Sequence, residues 1–164
     1  MKNMKGPGVI NIAADLGKSV VRKQHDVTVE AGNMWNKLLA RYDFIESVLV
    51  MSNYIKDEEL QKVMQTVLKK VKRQTQQLEK VMAEHAVALM PQPASEIKIS
   101  EGVPSFTDRY VFLRIFHSIK RVLPVHIVSF EQSTSPVIRE MFKGFLLEEM
   151  DMYDDLRNFG LKKN

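Results

Sequence analysis

Apolar residues return at steps of three and four along most of this chain, the spacing that gathers side chains on one face of an α-helix. Trp35, Leu39, Tyr42, Glu46 and Leu49 form one such stripe, widened by Leu38, Ile45 and Val48. With Thr28 as N-cap, it predicts a first helix over about 29–54. Leu60, Val63, Met64, Val67, Val71, Leu78, Val81 and Met82 predict a second over 58–89, opened by Asp57 and closed before Pro91. Phe112, Ile115, Phe116, Ile119, Val122, His126, Ile127 and Phe130 predict a third over 108–131, bent at Pro124. Ser135-Pro136 is a cap followed by proline at the first helical position, and starts a fourth over 136–159. Residues 1–27 read as an N-terminal arm: Gly6-Pro7-Gly8 breaks a helix, and Ile12, Leu16 and Val20 then share one side of a short one. Such an arm packs on the body of the protein or on a partner chain.

The segment PQPASEIKISEGVPSF has no helical period and is long for a turn between bundle helices. Helices of the predicted lengths span about 45 Å or less, at about 1.5 Å per residue. A segment of roughly 16 extended residues can run back along that whole length. The expected fold is therefore all-α: a ferritin-like four-helix bundle over residues 28–160, with one long crossover between helices 2 and 3.

Composition narrows the classes. The chain has 164 residues, 45% hydrophobic and 27% charged, enough for one domain with a real core. It has no cysteine, which removes disulfides, thiolate catalysis and sulfur-ligated metals and fits a reducing, cytoplasmic setting. The net charge is +4, and the basic residues are spread out. The densest run, KKVKR at 69–73, reads as a solvated helix face, so nucleic acid is not the expected partner. Nothing resembles a signal peptide, and no apolar run is long enough to span a bilayer.

Chemistry is sparse. Counting down from the turn between helices 1 and 2 puts Glu46 and Glu149 at one height, both near the core seam, which makes this pair the candidate divalent metal site. A di-iron centre also needs Glu-x-x-His on two helices. Here the corresponding spacings read Met82-x-x-His85 and Glu149-x-x-Met152. The competing reading is a buried acid without metal, satisfied by polar partners among Tyr42, Gln74, Arg114 and water, with His126 a hydrogen-bonded core histidine. No dinucleotide fingerprint or nucleophile elbow is present, so the motifs favour neither a cofactor nor an enzyme.

Three stretches carry a family resemblance: LLARYDFIESVLVMSNYIKDEEL, QLEKVMAEHAVALMPQP, and the run from Phe106 to Leu156 with its Asp108, Tyr110, His126, Gln132-Ser133 and Arg139. Over roughly residues 30–160 they resemble an uncharacterised family of ferritin-like proteins from Bacillus and related Firmicutes, itself similar to the spore coat F group. The resemblance implies the four-helix fold and a spore or stress context, in a forespore or spore-associated location, and leaves activity open. Family relatives often carry two such domains, whereas this chain has room for one, so pairing with itself is the expectation. The preferred reading is a non-catalytic structural or protein-association role, as a homodimer or with another protein. The alternative is a metal-binding ferritin-like protein or oxidoreductase with a degenerate carboxylate site, and a third is a binding module using the basic face of helix 2.

Overall fold

The computed structural model describes residues 8–98 and 106–163, with side chains from Thr28 onward. Four helices carry the fold: α1 (Gly8–Ser52), α2 (Glu58–Glu84), α3 (Asp108–Gln132) and α4 (Pro136–Lys162). There is no strand among the described residues.

Hydrogen bonds at the helix ends establish the topology. Asp108, at the start of α3, accepts from the backbone N–H groups of Lys56 and Asp57 at 2.8 and 3.0 Å, so α2 and α3 begin at the same end and run parallel. At the opposite end Glu30 of α1 accepts from the backbone N–H groups of Thr134 and Ser135, tying α1 to the start of α4. The connection after α2 must therefore return along the bundle. Its course is pinned by Trp35 Nε1 donating to Ala88 O at 3.1 Å and Asn53 Nδ2 donating to Ile97 O at 3.1 Å, near opposite ends of α1's packed half. This is the ferritin-like arrangement of two antiparallel hairpins joined by one long crossover.

Local chemistry explains most boundaries. The Asp57 carboxylate accepts from Glu59 N and Leu60 N, and Thr107 Oγ1 accepts from Tyr110 N, each satisfying an orphan donor of a first helical turn. Two boundaries differ from expectation. α2 stops at Glu84 rather than near residue 89, because Ala86 takes a left-handed backbone (φ 54°) and Val87 N donates back to Met82 O. α1 does not start at Thr28; it is continuous from Gly8 for 45 residues. Extending an existing helix costs far less than nucleating a new one, and no proline interrupts residues 9–27 to force a break. The part of the expected arm before Gly8 lies outside the described residues.

The core has two apolar halves. One, towards the α1–α2 turn, includes Ile45, Val48, Leu60, Val67, Ile115 and Leu156; the other includes Met34, Leu38, Leu78, Met82, Phe142 and Phe145. Between them lies a layer of buried polar side chains.

Candidate functional site

The polar layer is assembled from three helices. The core-facing positions of α1 are Met34, Leu38, Ile45 and Val48, with Arg41 and Tyr42 occupying the turn between Leu38 and Ile45, all buried. Lys37 and Arg41 flank that stripe one turn apart and are themselves buried. His126 comes from α3, two residues after Pro124, and is fully enclosed. Glu149 comes from α4, on the same face as Phe145, Met152 and Leu156, and has no exposed surface at all.

The four groups converge on one carboxylate. Arg41 Nη2 forms an ion pair with Glu149 Oε1. Lys37 Nζ lies 3.5 Å from the same oxygen, and His126 Nε2 lies 2.7 Å from Oε2. Lys37 Nζ is also 2.7 Å from His126 Nε2. Aromatic rings close the site: the Arg41 guanidinium stands 5.6 Å from the centre of the Phe145 ring, and the His126 ring meets Phe142 and Phe145 at 6.1 and 5.9 Å.

Burial in so apolar a setting reshapes the proton inventory. It pushes the Lys37 amine down to about 7, with the Arg41 charge adding to the effect and Glu149 opposing it. Burial likewise lowers His126 to about 4, against the hydrogen bond to Glu149. For Glu149 burial acts upward, yet the His126 hydrogen bond and the Arg41 and Lys37 charges outweigh it and hold the carboxyl at about 2. Arg41 is lowered by burial as well, from a starting value high enough that it stays charged. Near neutral pH the layer thus holds one firm ion pair, Arg41 with Glu149, beside a neutral imidazole and a partly deprotonated amine. With hydrogen on Nε2, His126 donates to Glu149, and the Lys37 amine 2.7 Å from the same nitrogen fits beside it in its neutral form, since a charged ammonium would set donor against donor. Nδ1, which has no partner among the described residues, is then a bare acceptor and leaves no donor stranded.

Further polar contacts extend the layer around the bundle. Glu148 accepts from Arg73 Nη2 and Gln74 Nε2, each at 2.6 Å, joining α4 to α2. Tyr42 donates to Glu79 at 2.6 Å, joining α1 to α2. All four helices are tied at mid-height.

The residues expected from sequence fare differently. Glu149 is in the core as its spacing implies, and His126 is its hydrogen-bond partner. Glu46 is not near it: it is exposed, because the true inward stripe of α1 is rotated by one residue, about 100°, from the one built on Trp35 and Leu39. Height was also misplaced. α4 runs to Lys162, three residues beyond the expected end at 159, which moves the level of Glu149 from Glu46 towards Arg41. Tyr42 serves Glu79 instead, Gln74 serves Glu148, and Arg114 is exposed on α3. Lys37 and Arg41 were missed because lysine and arginine count as outer-face residues in a periodicity reading. The signal was present in Met34, Leu38, Ile45 and Val48, an apolar stripe that needs no glutamate and has both cations on its flank.

Ferritin-like bundles commonly hold metal ions between carboxylates and histidines at this depth. The donor set here does not fit one. The single buried carboxylate of the cluster is engaged by two basic side chains and a histidine, and no group of three or more metal-ligating side chains exists among the described residues. A cleft of about 190 Å³ between α1 and α3 borders Lys37 and Arg41, but both charged ends face the interior ion pair. The layer is a buried ionic cluster centred on Glu149.

Comparison with known proteins agrees with the fold. A family model described as protein of unknown function, DUF3231, matches residues 17–164. No curated protein matches the sequence. A crystal structure from Bacillus halodurans, of a protein provisionally described as a spore coat protein, superposes with a TM-score of 0.77 at 19% identity, covering 82% of this chain and 87% of that one. A two-domain protein from Anabaena variabilis, containing DJ-1/ThiJ/PfpI-like and ferritin-like domains, gives a TM-score of 0.66 at 13% identity. That match covers 82% of this chain and 36% of the longer one.

Proposed function

The chain belongs to the DUF3231 family, and from that premise we propose that it is a non-catalytic structural protein that works by association, first with a second copy of itself, in a spore-related setting. The observation that carries this reading is the state of Glu149. Its carboxylate, the one group of the core best placed to bind a metal, is neutralised internally by Arg41, approached by the Lys37 amine and hydrogen-bonded by His126. Such a layer ties four helices in register, with the charged ends of Lys37 and Arg41 turned towards Glu149 in the interior.

The association half of the reading is supported by α1. Glu30 marks the end of the bundle where α4 begins, and α1 continues as helix back to Gly8. That extension is about 30 Å long at 1.5 Å per residue. Helices in proteins draw most of their stability from packing an amphipathic face, and Ile12, Leu16 and Val20 recur at helical spacing in this part of the sequence. The provisional spore coat description of the Bacillus halodurans neighbour supports the setting.

Sedimentation equilibrium on the full chain, with a variant lacking residues 1–27 beside it, tests the proposal. A concentration-dependent dimer that reverts to monomer in the shortened variant is expected. A full-length chain that stays monomeric throughout the micromolar range contradicts it.

A further inference from the structure

At the end of the bundle where α2 and α3 begin, a cleft of about 530 Å³ opens between α3 and α4, within the range of small-molecule sites. Its walls are apolar: Leu60, Phe112, Leu113, Phe116, Phe159 and Leu161. Aromatic contacts join part of the wall, with Phe112 stacked on Phe116 at 5.7 Å and tilted against Phe159 at 5.5 Å between ring centres. Charged residues stand around it, and their pairing is uneven. Asp57 is engaged by Lys163 at 2.6 Å and caps α2, and Asp108 accepts from two backbone N–H groups. Lys163 is in turn spent on Asp57 and Glu59. Arg109 of α3 and Arg157 of α4 line the same cleft, are exposed, and have no carboxylate partner among the described residues.

Both acids and the lysine are thus accounted for, and two guanidinium groups are left over at an apolar cavity. We propose that this cleft binds a medium-chain fatty carboxylate, its acyl chain lying in the cleft against the phenylalanine rings and its carboxylate held by Arg109 and Arg157. The apolar walls select a hydrocarbon chain, and the unpaired guanidinium forks select a carboxylate over an ammonium or alcohol head. A purely apolar occupant leaves both arginines unused, and a small anion leaves the walls unfilled. This inference is independent of the ionic layer, since none of the cleft residues belongs to it.

The test is calorimetric titration of the full chain with hexanoate, octanoate and decanoate, with decylammonium and decanol as head-group controls. The site predicts one equivalent per chain for decanoate. Affinity should rise about four-fold per methylene (about 0.8 kcal/mol) until the cavity is full. Arg109→Glu and Arg157→Glu change exposed residues and should leave the melting temperature near that of the parent while weakening decanoate at least ten-fold. Leu113→Trp fills part of the cleft and should weaken decanoate more than hexanoate. Absence of decanoate binding overturns the proposal. So does equal affinity for decylammonium, or binding indifferent to both charge reversals.

Discussion

Replacing Lys37 by methionine should change how stability depends on pH, because this amine is the misfit of the buried layer. Its native value near 7 lies below the 10.5 of an unfolded lysine, with burial the largest cause. Between those values the unfolded chain binds more protons than the native one, so stability rises with pH across that window. A fall from 10.5 to about 7 represents a ceiling of about 5 kcal/mol, at roughly 1.4 kcal/mol per pH unit. Integrated only from pH 7 to pH 9, it amounts to about 2 kcal/mol of added stability. Methionine keeps much of the length and packing of the lysine stem but cannot titrate. The assay is urea unfolding of parent and Lys37→Met at half-unit steps from pH 6.5 to 9.5. The parent should gain about 2 kcal/mol between pH 7 and 9 while the variant stays nearly flat. The variant should also be the more stable of the two at pH 6.5, where the parent must hold a charged amine in the core. Matching slopes in the two proteins would refute the placement of Lys37 as a desolvated, titrating amine.

Other outcomes follow from the same contacts. Glu149→Gln strands Arg41 in the interior and should cost about 3–5 kcal/mol in denaturant unfolding, far more than any exposed acid. On the acid side the native values of Glu149 and His126 lie below their usual ones, so both groups stabilise at neutral pH and lose that contribution as pH falls. The parent should therefore lose stability progressively from about pH 6.5 downwards, a trend Glu149→Gln reduces below about pH 4.5. Glu30→Ala removes the carboxylate that accepts from Thr134 N and Ser135 N at the start of α4; a loss of about 1–3 kcal/mol is expected, with faster amide exchange at those residues. Gly160→Ala places a Cβ 2.8 Å from the Phe112 ring, so the ring must move and the melting temperature should fall, by an overpacking cost of about 1–3 kcal/mol.

Much of the architecture was legible in the chain because helices with one buried face write a period into the sequence. α4 shows it most plainly: Pro136 opens it, and Phe145, Glu149, Met152 and Leu156 all occupy the core face their spacing implies, whereas on α3, which Asp108 opens as expected, Ile127 is exposed and Val111 and Ser129 are buried instead. The crossover was legible from its length. α1 was harder, since Trp35 and Leu39 are apolar but largely exposed, while Lys37 and Arg41 are charged and buried. A periodicity argument weights residue type, and here type and burial are exchanged on neighbouring positions, which rotates the inferred face by one residue. The partners of Glu149 were out of reach for a second reason. They come from three helices, and small errors in helix ends accumulate into a full turn of height, enough to substitute Glu46 for Arg41.

The most direct test of the account is metal content. Protein purified without a metal-chelating tag would be titrated with ferrous and manganous ions and analysed by elemental mass spectrometry, with Glu149→Gln and Glu46→Gln alongside. With Glu149 already paired with Arg41 and hydrogen-bonded by His126, the account predicts no stoichiometric ion in the parent and no difference among the three proteins. One or more equivalents per chain, lost in Glu149→Gln, would contradict it and make the mid-bundle layer a metal centre.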